Sequence, residues 1–497
     1  MKRFKRILAV AAALTFAGGS AAALSGCAGG GEEVVLRVCN WEEYIDLGGW
    51  GEDEVIDLES GNIFGENSMV DDFTEWFNST HDFSVKVEYS TFGTNEDLYN
   101  RLSLGDVYDL VCPSDYMLMK LIAEGNYVEF SDGFLDTGNE ENYYANGVSR
   151  YIDGAEGSIF AENGWNKKAA CYMWGTTGLV YNPEQAEEAD VSTWALLMNE
   201  NYKRQVTIKD NVRDAYFAAL GIINAEALKG ELIREERSKL LNDTDGETIA
   251  RAEDVLKAIK ENVYSFETDS GKADMVTGKV VANYQWSGDA VYIMDEADGD
   301  ENNPVELWYS VPDECTNLWF DGWIKLKKGA EWNEKRSIAA EAFVNFLSRP
   351  DNAVRNMYYI GYTSAIAAET VFEYMEWNYG AEDGDMNYDL GYFFGEDKIL
   401  SVDAADFVVE GENINKGRQL FAQYPPQNVI DRSVVMLDFG DKLGEINRMW
   451  INVRCLDLKD ISPAVYGVVS AVAAAAVIGI CLYVFRYKIF IREPKEK

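Results

Sequence analysis

Residues 40 to 44 read Asn-Trp-Glu-Glu-Tyr and follow a short apolar strand, Val34 to Cys39. An indole, two carboxylates and a phenol at a strand end can hold a cation. A carboxylate takes an ammonium, while an aromatic face attracts the same charge and packs against an alkyl stem. A diamine offers both parts. The competing account is structural, with Trp41 and Tyr44 capping the core and Glu42 and Glu43 starting a helix. Three later stretches repeat the chemistry: Ser114 with Tyr116 after Tyr108 to Cys112, Trp286 with Asp289 after Val280 to Tyr284, and Trp319 with Asp321 within Leu318 to Ile324. Ligands of open α/β sheets bind beyond the carboxyl ends of the strands. Aromatic and acidic residues together at four such ends are harder to assign to core packing and surface charge than any one pair.

The elements that must position these residues alternate. The pattern predicts a strand over Val34 to Cys39, a helix over Val70 to Asn78 and a strand over Ser84 to Tyr89. A helix over Asn95 to Leu104 and a strand over Tyr108 to Cys112 follow. Strand, helix, strand, helix, strand is the signature of a parallel sheet with its loops gathered at one edge. Asp46 to Ser68 reads as an acidic insertion, and Asp132 to Asn166 as a polar, Gly-rich surface excursion. Ala169 to Trp174 and a later strand flank the connector Gly175 to Gly178. A second α/β unit then begins with Val206 to Ile208, the loop Asp210 to Asp214 and a helix over Ala215 to Ile223. Residues after Tyr362 read as mostly helical and acidic.

At 497 residues, 47% apolar and 13% aromatic, the chain has the composition of a packed globular protein of two or three domains. Residues 1–27 have a basic start, an apolar run and small residues before Cys27, which is a secretory signal. Leu24-Ser25-Gly26-Cys27 resembles the lipobox of bacterial lipoproteins, which would make Cys27 the lipidated residue. Residues 464–485 carry no charge over 22 positions, long enough for a transmembrane helix, and the basic tail 486–497 would then be cytoplasmic. The expectation is a bacterial cell-membrane protein with its body outside. Net charge is −41, although both ends are basic. So acidic a body argues against nucleic acid as a partner and gathers cations. No cysteine pair has zinc spacing. Cys39 and Cys112 end two strands that can be neighbours, either as a disulfide or as two buried free thiols.

Six motifs in order carry a resemblance: Asn-Trp-Glu-Glu-Tyr at 40–44, Tyr-Asp-Leu-Val-Cys-Pro-Ser-Asp-Tyr at 108–116, Trp-Gly-Thr-Thr-Gly at 174–178, Trp-Ser-Gly-Asp-Ala at 286–290, Trp-Phe-Asp at 319–321 and Ile-Gly-Tyr at 360–362. Over most of residues 34 to about 370 the chain resembles the polyamine-binding proteins that deliver putrescine and spermidine to ABC permeases. The resemblance implies a two-lobed, periplasmic-binding-protein-like (type II) α/β fold with an interlobe cleft, to which the C-terminal transmembrane helix would be added. Lobe 1 is expected over 32–172 and 320–366, and lobe 2 over 173–319 and 367–455.

Carried over residue by residue, Trp41 and Tyr44 match aromatic walls and Glu43 an acid for one ammonium. Ser114 and Tyr116 match a polar and an aromatic contact, and Asp214 an acid that follows Arg213. Trp286 matches the central indole, Asp289 the acid of the putrescine-type branch, Trp319 and Asp321 the far wall and far acid, and Tyr362 a closing phenol. Asn211 stands where spermidine-type members place an acid, which favours putrescine over spermidine. No cofactor, catalytic residue or metal is implied. Three alternatives remain: another cationic solute, ferric iron through Tyr358 and Tyr359, and a secreted glycoside hydrolase using paired carboxylates.

Overall fold

Along Glu33–Trp41 (β1), Val34, Leu36 and Val38 alternate with more exposed neighbours, the two-residue period of a strand buried on one face. The structure, a computed structural model, describes residues 33–51, 53–153, 158–299, 304–328, 332–395 and 407–455. Parallel to β1 lies Ser84–Phe92 (β2), in a register running from Glu33 opposite Ser84 to Trp41 opposite Phe92. Between them, Met69–Thr80 (α1) starts at Ser68, whose hydroxyl accepts the N–H of Asp71, and buries Met69, Phe73 and Phe77. Asn95–Leu104 (α2) is capped by Thr94 and stops at Gly105, whose φ of 104° suits a residue without Cβ. Leu110–Val111 (β3) lies on the other side of β1, and Asp115–Ala123 (α3) begins just after it.

Two long strands join the halves. All residues of Ala170–Tyr181 (β4) and of the later Thr316–Lys325 are buried. Beyond β4, the second unit comprises Val206–Lys209 (β5), Val212–Ile223 (α4), Ser265–Glu267 (β6), Ser270–Val276 (α5), Ala282–Trp286 (β7) and Ser287–Gly299 (α6). With Thr316–Lys325 as β8, the main path of the sheet is β2-β1-β3-β8-β4-β7-β5-β6. β8 pairs antiparallel with both β3 and β4, while β5 pairs parallel with β6 and β7. Each parallel set therefore sits on its own side of the antiparallel β4–β8 crossing, which is a two-lobed α/β arrangement. One buried cluster runs from β1 and α1 through β8 to Pro350–Ile360 (α7). A second gathers Trp194, β5, α4 and Tyr284.

Several expectations are corrected. The described residues support the two-lobed fold, no helix among them is long and apolar enough to cross a membrane, and the C-terminal transmembrane helix expected in addition finds no support in them. Residues 464–485, the tail 486–497, the segment 1–27 and Cys27 lie outside the described residues. The stretch 132–166 is no mere surface excursion. It contributes Phe134, Tyr144, Phe160 and Trp165 to the first core, because its aromatic residues outweigh its polar composition. Gly175 to Gly178 is no connector either and lies inside β4. A Cβ at Gly175 would collide with Ser287 and Trp319, so the glycine reflects close packing across the crossing. The chain after 366 divides between the cores: Val371, Phe372 and Tyr374 join the first, and Val434, Ile446 and Met449 the second. It also forms a hairpin, Met386–Asp389 with Val408–Gly411. Cys39 and Cys112 are both buried and free.

Candidate functional site

The β4–β8 register shifts between Asp321 and Gly322, a bulge in an otherwise regular ladder. Bulges re-aim side chains, and this one sits where Asp321 meets Ser114 in an isolated bridge to the start of α3. Tyr44, three residues beyond β1, donates its hydroxyl to Asp321 Oδ2 at 2.7 Å. Asp321 Oδ1 is buried and has no hydrogen-bond partner among the described residues. Burial pushes this carboxyl up to about 6, against the pull of Ser114 and Tyr44, and no cation contributes.

A second acid lies across a pair of phenols. Tyr362, just past α7, donates its hydroxyl to Asp289 Oδ1 at 2.9 Å. Its ring meets Tyr44 edge-on at 4.9 Å and Trp319 at 5.7 Å. A Cβ at Gly288 would strike the Tyr362 ring, so the glycine of the Trp-Ser-Gly-Asp motif admits the phenol onto the first turn of α6. Burial keeps both phenols protonated, and they act as donors at neutral pH. The contacts thus run Asp321, Tyr44, Tyr362, Asp289, with a carboxylate at each end.

Around this axis the remaining candidates divide. Trp319 is fixed by its indole N–H donating to Thr176 O at 3.0 Å. Trp41 is half-buried against Phe92, ring centroids 4.7 Å apart. Tyr116 accepts from Asn95 at 2.9 Å and lies 3.9 Å beneath the Arg213 guanidinium, which ties α3 to α4. Asp214 is buried; burial lifts its carboxyl to about 6, opposed by Lys209, the Trp286 indole and Arg213. Asn211 caps α4, its side-chain oxygen accepting the Arg213 N–H at 2.8 Å, which is a structural task. Glu43, at φ 52°, is exposed at the rim rather than enclosed.

Sequence reasoning missed two lysines. Lys209 ends β5 fully buried, 3.9 Å over the Trp286 ring and 3.7 Å from Asp289 Oδ2, and donates to Thr268 O at 2.9 Å. Lys272, on α5, lies 3.0 Å from Asp289 Oδ1. Burial pushes Asp289 up, but Lys272 and Lys209 overcome it and hold the carboxyl below the usual range. A lysine closing the buried strand Val206–Lys209 directly before Asp210-Asn211 was a signal that could have been read. Nothing local marks Lys272. A fourth buried acid, Asp115, accepts the N–H of Tyr116 and of Phe320, and burial pushes it to about 8, leaving it a neutral structural group.

Iron has little to recommend it: Tyr358 packs on Trp50 at 4.8 Å and donates to Glu54, and among the described residues no cluster of His, Cys, Asp or Glu could hold a metal.

Comparison with known proteins places this geometry. The model of the bacterial extracellular solute-binding proteins matches residues 68–371. The spermidine/putrescine-binding periplasmic protein of Salmonella typhimurium is 26% identical over 364 residues, 73% of this chain and 84% of that protein. The putrescine-binding periplasmic protein SpuD of Pseudomonas aeruginosa is 27% identical over 363 residues, 71% of this chain and 82% of that protein. The crystal structure of the spermidine/putrescine ABC transporter substrate-binding protein PotD from Streptococcus pneumoniae superposes with a TM-score of 0.53 at 22% identity, covering 84% of this chain and 98% of that one. The chain belongs to the bacterial extracellular solute-binding proteins, which are receptors and not enzymes.

Proposed function

We propose that this solute-binding protein captures a polyamine, putrescine in preference to spermidine, between its lobes and hands it to an ABC permease. The observation that carries the reading is the Asp321 carboxylate. It is buried and capped by the Tyr44 phenol, and among the described residues one of its oxygens has no hydrogen-bond partner and no cation accompanies it. An uncompensated buried carboxylate is costly, and an arriving ammonium repays that cost. Trp286, Trp319 and Tyr362 supply apolar and π surface for the stem, at about 0.8 kcal/mol per buried methylene, or roughly 3 kcal/mol for four. The relatives named for spermidine and putrescine support the ligand class. The preference for putrescine is supported by Asn211, whose amide serves as a helix cap where a spermidine site would need an acid.

The proposed ligand set comprises Trp41, Tyr44, Ser114, Tyr116, Asp214, Trp286, Asp289, Trp319, Asp321 and Tyr362, with Glu43 contributing only long-range charge from the exposed rim and Asn211 in support. The proposed lobes are 32–172 with 320–366, and 173–319, with the chain after 366 shared between them. Contacts made only when the lobes close drive the hinge, and the closed form presents the loaded receptor to the permease. Calorimetric titration with putrescine, spermidine and an uncharged sugar tests the reading. Putrescine binds, spermidine binds more weakly and the sugar gives no heat. Silence with both amines overturns it.

A further inference from the structure

Asp289, the acid assigned to the putrescine branch, is already satisfied. Oδ1 receives the Tyr362 hydroxyl at 2.9 Å and the Lys272 ammonium at 3.0 Å, and Oδ2 faces Lys209 at 3.7 Å. An ammonium on a carboxylate beside an indole is the arrangement expected of the ligand's own end group, and here the protein supplies it from its own chain.

The two lysines are not equivalent. Lys209 is fixed: it is fully buried, bound to the Thr268 carbonyl and stacked on Trp286. Lys272 is the one that can leave. Its side chain is 21% exposed, it belongs to a helix of seven residues, and a second acid, Asp269, lies 3.5 Å away with its side chain 75% exposed. Swung toward Asp269, the Lys272 ammonium keeps an ionic partner and gains water, while Asp289 is released to another cation. The exchange replaces one positive charge by another, so the charge of the cleft is conserved.

We propose, on the footing of the polyamine reading, that Lys272 is a specificity-determining residue. Its ammonium occupies the half-site for the second ammonium of a diamine, and a diamine binds fully only by evicting it. A ligand with one ammonium enters at Asp321 and leaves Lys272 in place. A tethered competitor that holds its site most of the time weakens the apparent affinity of the evicting ligand by the fraction of time the site is free. Occupancy of about nine-tenths corresponds to about a tenfold loss.

The test is titration of the full chain, wild type against Lys272→Met, Lys272→Gln and Lys272→Arg, with putrescine and n-butylamine, read by calorimetry and tryptophan fluorescence. Lys272→Met and Lys272→Gln tighten putrescine about tenfold and leave butylamine within about twofold, whereas Lys272→Arg stays near wild type. Either neutral variant suffices if the other fails to fold. Unchanged or weaker putrescine binding in the neutral variants, with the wild type binding, overturns the role of Lys272 and leaves the polyamine reading standing. Equal tightening for butylamine also overturns it, because the effect would then be one of general charge. Absence of putrescine binding in every protein, wild type included, overturns the polyamine reading and this proposal with it.

Discussion

Asp321 and Asp289 lie at the two ends of one aromatic axis, buried to nearly the same degree, with 6% and 4% of their surface exposed. Each accepts a phenol, from Tyr44 and Tyr362 respectively. Their carboxyls are nonetheless displaced in opposite directions, Asp321 up to about 6 and Asp289 below the usual range. Burial acts alike on both, so the difference comes from Lys272 and Lys209, which stand beside Asp289 and not beside Asp321. The same side chain at the same depth is an acid with no cation beside it in one place and part of a filled ionic cluster in the other.

Asparagine at each position separates the two ends most sharply. Asp321→Asn weakens polyamine binding by about a hundredfold or more, since a buried ammonium loses its ionic partner. The same change does not harm the fold. It removes a charge that the folded state disfavours, a relief of about 3 kcal/mol at neutral pH. Asp289→Asn does the reverse to stability. It takes from the buried Lys209 ammonium the largest of its carboxylate partners, leaving Glu267 and Asp214, and lowers the unfolding free energy by about 3 kcal/mol. Denaturant unfolding of both variants measures the contrast, and equal stability of the two would abolish it.

Titration sharpens the comparison through its sign. Asp321 has a folded pKa raised above its unfolded value, so its charge costs stability, a cost absent below about pH 4 and complete above about pH 6. Asp289 has a depressed folded pKa. It contributes stability above the unfolded value, and that contribution is lost as pH falls through the folded value. An ammonium prefers the ionised Asp321. Affinity is therefore flat above pH 7 and falls by up to about tenfold per unit below pH 6, with proton release on binding near pH 6. Calorimetry in two buffers of different ionisation heat measures that release, and uptake instead would assign the site elsewhere. Glu43→Gln, at the exposed rim, changes affinity by no more than about twofold and mainly through its salt dependence.

Much of the scaffold was legible before the structure. The helix Asn95–Leu104 is found with the boundaries its sequence implies, because Thr94 and Gly105 mark both ends locally. The strand before Trp41 and the turn at Ser114 could likewise be read, since two-residue alternation and strand-end motifs are short-range signals. Trp319 and Asp321, by contrast, expected at a strand end, lie inside β8, and Asp289 lies in the first turn of α6. The role of 132–166 could not be read, because its composition is polar while its burial depends on partners far along the chain. Nor could β4 be recognised as one strand: its internal glycines look like a connector until Trp319 and Ser287 are seen pressed against them.

By itself, then, the sequence determined the order of strands and helices in the first α/β unit, the acidic body and the aromatic and acidic motifs, all of which follow from local pattern and composition. Only the tertiary structure decided what each acid does. It brought Lys209 and Lys272 onto Asp289 across 80 and 17 positions and left Asp321 with Tyr44 and Ser114 and, among the described residues, no cation. Charge at a buried site is set by neighbours in space, and those neighbours are chosen when the sheet closes.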